Sequence, residues 1–478
     1  MKKILLLIFT SLLWAQAHQY NIYDMNGKKQ GSYNGILSKQ ILEDFLKKNH
    51  GSILVSKESF NKNIILKSLT QLQQGIALAN KSERTINIHQ DSLNKVFWQE
   101  VEKNEIAKLC IDKKVLAWET TLNSQIVNDS CLAFQAPTLI GVDTIKVFFS
   151  DNDSPYSINL AIGMKYLDFK NEEVLLGYNE REFGARINPV WNCRSHGEAD
   201  PERYISVTGT YLVDKRPVTQ CEIVQMMWDS IPNNVQSERA FLKNGWISRK
   251  KTTERNGFCV VHDSAANTIS IYQAMKYANA RSIREGLKPY YIFSAINAQS
   301  SRIQSKGLYD ICNTDFTIQK NEYIRVSVNY SSDGYRLPYY DEWMMFARGG
   351  DKKNKAPWGD TTATFEEVSK YAKFTYEEDD DLFDAGLVGQ LKPNGYGLYD
   401  IFGLVEEHVL FEELNPFCYL KERPSCFKGG NTHITETWKD VNYAYRTPNY
   451  TGCQPGGFRL IRNIGNNAKW TEVKSDKE

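Results

Sequence analysis

The sequence predicts an α+β protein of two domains: a smaller mixed α/β or β-rich module, followed by a larger domain with few regular elements. Three observations carry that expectation. The chain has 478 residues, 41% of them hydrophobic, enough to bury more than one core. Up to Asn159 it offers helix-like and strand-like runs with no recognisable motif. From about Met164 the texture changes to aromatics, Gly-rich turns and short strands, with two or three clear helices.

Residues 1–17 read as a secretory signal peptide. Lys2 and Lys3 precede an apolar run from Ile4 to Trp14, and Ala15-Gln16-Ala17 supplies the small residues of a cleavage site. The mature chain would start near His18. No Cys follows the run, which argues against a lipid anchor, and no later segment nears the ~18 apolar residues of a membrane helix. The expectation is an exported protein without a membrane span, periplasmic, at the cell surface or extracellular.

In the module 18–159, Ser38 to His50 predicts a helix with Ile41, Leu42, Phe45 and Leu46 on one face. Asp91 would cap a second helix carrying Leu93, Val96, Phe97 and Val101. Thr144 to Ser150 reads as a strand, and the turn-rich Asp151 to Pro155 as the linker. In the domain 160–465, Thr219 is a good N-cap for a helix Gln220 to Trp228. Ala265 to Glu285 predicts a long amphipathic helix whose apolar face includes Ile271, Ala274, Met275 and Ala278, with Gly286 as C-cap. After Pro338, the residues Trp343, Phe346 and Ala347 fall at helical spacing toward a core. Asn394-Gly395 suits a tight turn with positive φ. Residues 466–478 read as a polar tail.

Charge is balanced, 58 Lys and Arg against 57 Asp and Glu, which argues against a nucleic-acid partner. Export would make the nine cysteines potential disulfide partners, and their odd number leaves at least one free or pairing between molecules. Cys110 with Cys131, and Cys418 with Cys426, are among the closer pairs, though spacing alone does not settle connectivity. Cys193-Arg194-Ser195-His196 has no second ligand pair at zinc-site distance. No nucleophile elbow, phosphate loop or zinc-protease motif occurs.

The run Gly334 to Gly350 contains Tyr335-Arg336-Leu337-Pro338, Glu342-Trp343 and Arg348-Gly349-Gly350. It resembles the signature of the formylglycine-generating enzyme, or sulfatase-modifying factor, family. Further phrases occur in the family's order: Pro217-Val218-Thr219 before it, then Pro357-Trp358-Gly359-Asp360, Pro393 to Asp400, Lys428-Gly429-Gly430 and Gly457-Phe458-Arg459. The resemblance implies a C-type-lectin-like fold over roughly Met164 to Arg462. It also shows one departure, since Tyr339 stands where the family's capping box has Thr, while Glu342 remains.

Catalytic relatives hold Cu(I) with two cysteines, because thiolates select cuprous copper. The matching positions here are Ile434 and Lys439, so the resemblance argues against copper and against cysteine oxidation. It implies a structural calcium ion on Asp400 and Glu407, with main-chain oxygens of Gly403 and Val405, although Leu404 replaces an Asn. A second calcium site would fall near Tyr371 to Phe383, where Lys373 replaces the expected Asn. The iron-dependent sulfoxide synthases are a further enzymatic relative, but His18, His50 and His89 lie too far apart for their His cluster. The expected function is binding of an exported protein, peptide or glycan by a domain that has lost its catalysis. Tyr339, Tyr340, Trp438, Tyr443 and Tyr445 are the candidate contact residues. The alternative is a metal-dependent oxidoreductase of the formylglycine-generating type with a rebuilt site, acting on an exported protein.

Overall fold

Ile106 to Ile111 alternates partly exposed and buried side chains, the period-two pattern of a half-buried strand. It lies in a sheet ordered Asn123–Asn128, Cys131–Gln135, Ile106–Ile111, Arg84–Ile88, antiparallel except for its last pair. A second sheet runs Val96–Val101, Tyr156–Ile162, Gly141–Phe148, Ala117–Glu119, with its first pair parallel. Ile86, Leu109 and Phe134 from one sheet and Ile145, Val147 and Leu160 from the other share one core. The computed structural model describes residues 84–177, 202–228, 264–297, 322–350, 356–373, 386–410 and 456–473 with short gaps, and the backbone of strands elsewhere. It forms two compact units, Met1–Ile162 and Gly163–Glu478.

Three expectations for the first unit meet the structure differently. Cys110 and Cys131 sit directly opposite on neighbouring strands and form a disulfide. The helix expected after Asp91 is the strand Val96–Val101. Its β-branched and aromatic residues suit a pleated surface, and pairing with Tyr156–Ile162 overrides the short helical periodicity. The expected linker 151–155 is the connection of the hairpin Gly141–Phe148/Tyr156–Ile162, inside the unit. Apart from a strand at Leu5–Leu7, the leader at 1–17 lies outside the described residues, as does Ser38 to His50.

The second unit is organised on a three-stranded antiparallel sheet, Met164–Leu176, Arg203–Asp214 and Ile461–Glu472, with Arg203–Asp214 in the middle. The expected polar tail is thereby corrected. Residues 469–472 pair with 205–208, and Trp470 stands opposite Val207. The run is polar because an edge strand turns alternate side chains to water, while Trp470 packs against the core.

Above this sheet the helix Tyr340–Arg348 is buried along its length. Trp343, Phe346 and Ala347 enter the core as the spacing predicts. Tyr211 packs edge-on against Phe346 and Phe169, with ring centroids 5.6 and 5.8 Å apart. Gly349 ends the helix at φ +67°, and a Cβ there would meet the Gly395 nitrogen at 2.7 Å. Asn394 completes this end, its amide donating to the carbonyls of Phe346 at 2.7 Å and Ala347 at 3.2 Å. In the following turn the positive φ belongs to Gly397, at +78°, and not to Gly395.

Thr219 caps Gln220–Met227 as expected, in a reciprocal box with Glu222 at 2.9 and 3.2 Å. The next helix begins later than expected, at Ile271 rather than Ala265. Ala265 is bridged to Thr219, and Ser270 with Gln273 forms the capping box that starts the helix. Gly286, at φ +72°, follows its end.

His408 lies in the buried strand Glu407–Leu410 and shares a 2.8 Å hydrogen bond with the Ile269 carbonyl. Burial lowers its pKa from the ordinary 6.5 to about 4, with the Ile269 carbonyl opposing. The unfolded imidazole therefore takes up its proton near 6.5 and the folded one only near 4. Stability is full above pH 6.5 and is lost as pH falls toward 4, by roughly 3 kcal/mol at most. Urea unfolding across this range should show that slope for the native chain and a flatter one for His408→Gln. An unchanged slope in the variant would assign the loss to other groups.

Candidate functional site

Two features carry the polar chemistry of the second unit: a buried ionic frame and an open cleft. In the frame, Arg459 and Glu407 are both fully buried. The guanidinium donates to the carboxylate through Nε and Nη2 at 2.6 to 2.9 Å, and to the carbonyls of Asp214 and Tyr399. Trp343 Nε1 donates to Glu407 Oε2 at 2.7 Å. Nearby, Arg281 pairs with Asp214 at 2.8 Å with neither exposed, and Asp214 also accepts from the Leu460 N–H. Burial pushes the Asp214 carboxyl up against the pull of Arg281. These groups tie distant segments together, since buried charges persist only when paired and hydrogen-bonded.

The frame decides how the four expected calcium ligands fit. Both oxygens of Glu407 serve Arg459 and Trp343, so its expected metal role is corrected to an internal ion pair. The Gly403 carbonyl accepts the Val405 N–H at 2.6 Å, and Val405 is itself buried. Asp400 is buried and accepts the Gly389 N–H, with burial raising its pKa. A hard cation needs six to eight oxygens, and Glu407, turned to Arg459 and Trp343, contributes neither of its own here. Among the described residues no group of three or more His, Cys, Asp or Glu could hold a metal. At the other expected calcium position, Lys373 bridges to Gly403 through its backbone.

The cleft, of about 600 Å³, opens where the start of the signature helix meets the strand Ile461–Glu472. Its floor is a layered cluster. Tyr290 and Tyr339 join their hydroxyls at 2.8 Å. The Arg336 guanidinium lies over both rings, 4.8 Å from the Tyr339 centroid and 5.6 Å from that of Tyr290. Arg336 is held bidentately by Glu342 at 2.6 and 2.7 Å and also donates to Asn463. Glu342 accepts the Tyr339 N–H at 2.9 Å, so half of the family's capping box survives although the Tyr339 side chain makes no cap. Burial pushes both phenols upward. The walls carry Arg203 paired with Asp341 at 2.6 Å, the highly exposed Tyr330, and Trp470. Trp470 is oriented by its Nε1–H, which donates to Tyr211 at 2.9 Å.

Of the five aromatic contact candidates, the structure places Tyr339 in this cleft. Tyr340 is corrected to a core residue, 2% exposed, because the first helical position turns roughly 100° around the axis from the N-cap Tyr339. Trp438, Tyr443 and Tyr445 lie outside the described residues, as do Ile434 and Lys439, Cys418 and Cys193 to His196. Cys221, in the helix after Thr219, is disulfide-bonded. Sequence reasoning missed Arg203, Tyr290, Tyr330 and Trp470 as cleft residues. Only Tyr290 carried a signal, because the stretch Arg281 to Tyr291 resembles the corresponding stretch of family members.

A family description, the sulfatase-modifying factor enzyme 1-like domain, matches residues 171–464, and the chain belongs to that family. It is similar to the chaperone protein LppX of Paenibacillus barcinonensis, 28% identical over 186 residues, which cover 35% of this chain and 61% of that protein. The match thus spans about three fifths of that relative's length. Among solved structures, it is similar to Treponema denticola variable protein 1, at 20% identity and a TM-score of 0.39, covering 68% of this chain and 99% of that one. It is also similar to PvdO from Pseudomonas aeruginosa, at 15% identity and a TM-score of 0.38, covering 66% and 97%.

Proposed function

We propose that the chain is an exported binding protein whose family domain has given up cysteine oxidation, and that its ligand sits in the cleft over Tyr339. The observation that carries this reading is the cleft's composition. It presents aromatic surface, and the charges of Arg336 and Arg203 are already matched by Glu342 and Asp341. Among the described residues its lining holds no cysteine and no histidine, which suits recognition better than nucleophilic or redox chemistry. The sequence supports the loss of catalysis, since Ile434 and Lys439 stand where catalytic relatives carry their cysteines. Export is supported by the leader pattern at 1–17 and by the disulfide bonding of Cys110, Cys131 and Cys221.

The test is incubation of the purified mature protein with Cu(I) and a cysteine-bearing peptide. No thiol-dependent copper uptake and no oxygen consumption are expected. Stoichiometric cuprous binding with oxygen uptake would replace this reading with that of an oxidoreductase.

A further inference from the structure

Resting on the binding reading above, the geometry points to a neutral glycan as the ligand of the cleft, its hydroxyls on the Tyr290–Tyr339 pair and a ring face on Tyr330 or Trp470. Each competing ligand chemistry meets an obstacle in the same residues. An anion finds both guanidiniums engaged, Arg336 by Glu342 and Asn463 and Arg203 by Asp341. With Glu472 at the rim, the lining holds three carboxylates to two guanidiniums. A cation would ordinarily seek the tyrosine faces, yet the Arg336 guanidinium already lies over Tyr339 and Tyr290. Those two faces are therefore already occupied.

An aliphatic side chain fails for a different reason. The two phenols carry two O–H protons and use one between them, which leaves one donor and several lone pairs at the floor. Tyr290 is only 9% exposed, so an apolar group seated on the pair would leave its one remaining O–H donor away from water. A sugar satisfies both requirements, because each of its hydroxyls donates and accepts while its C–H face covers an aromatic ring. Tyr330, 77% exposed, offers such a ring, and Trp470 is held in place by Tyr211. Rigid rings lose little conformational entropy on binding. The volume, about 600 Å³, falls within the usual span of ligand sites.

The experiment titrates the mature full chain with maltohexaose, cellohexaose and the hexamer of N-acetylglucosamine, read by calorimetry and tryptophan fluorescence. A lysine- and arginine-rich peptide forms a parallel arm. The variants are Tyr339→Phe, which removes one hydroxyl and keeps the ring over Arg336, and Tyr330→Ala, at an exposed position where folding is not at risk. Saturable binding of at least one oligosaccharide, insensitive to added salt and weakened roughly tenfold in each variant, is the expected result. The glycan assignment is overturned if no oligosaccharide saturates, or if both variants bind as the parent does. Salt-sensitive peptide binding lost in the variants also overturns it, while leaving the binding reading intact. The binding reading itself fails only by the separate copper and oxygen measurement.

Discussion

Glu407→Gln is expected to lower the unfolding free energy of the family domain by roughly 3–5 kcal/mol. The carboxylate is fully buried and receives Arg459 and Trp343 together. Removing its charge leaves the Arg459 guanidinium in the core with only carbonyl acceptors. That stranded charge, more than the lost attraction, sets the size of the effect. The double variant Glu407→Leu with Arg459→Met removes both charges and should be milder than either single change. Urea unfolding followed by tryptophan fluorescence measures all three. A Glu407→Gln loss below about 1 kcal/mol would show that the pair is not the buried anchor described above.

Trp343→Ala should cost about 3–5 kcal/mol, the range for emptying a large aromatic site in a packed core. Trp343 is wholly buried, lies edge-on to Phe402 with centroids 5.9 Å apart, and donates to Glu407. Trp343→Phe keeps most of the burial and loses the donor, so its cost should be smaller, near the 1.5–3 kcal/mol of a hydrogen bond to a charged group. A double-mutant cycle with Glu407→Gln isolates that bond. If Trp343→Phe proves as damaging as Trp343→Ala, the indole N–H that both variants lose, and not the burial that only Ala gives up, carries the residue's importance.

How much was legible in the sequence follows the range of each interaction. The Thr219 cap and the signature helix were readable because their partners lie three or four positions away. The same logic recovered half of the Tyr339 box, since Glu342 was retained. Ser270 with Gln273 was an equally local signal that went unread, which is why the second helix was begun too early. The strand Val96–Val101 was missed because its parallel partner lies some sixty residues on, and a short apolar run fits either period.

The cleft lay further out of reach. Arg203 meets Asp341 across a separation of 138 residues, and Trp470 meets Tyr211 across 259. Nothing in either local sequence announces the other, and Trp470 sat in a run whose polarity reads as a tail. Glu407 shows the same limit from the opposite side. Its place in a family phrase implied a metal ligand, and only the arrival of Arg459 gave it a different partner.

By itself, then, the sequence determined membership in the sulfatase-modifying factor family, the helix that carries its signature, and the helix cap at Thr219. These depend on phrases and on backbone groups a turn apart. Tertiary structure alone decided that Tyr340 is core and Tyr339 is cleft, that the final strand completes the sheet, and that Glu407 neutralises Arg459. The reason is physical: burial and long-range pairing assign a side chain its environment, and only the folded chain brings those partners together.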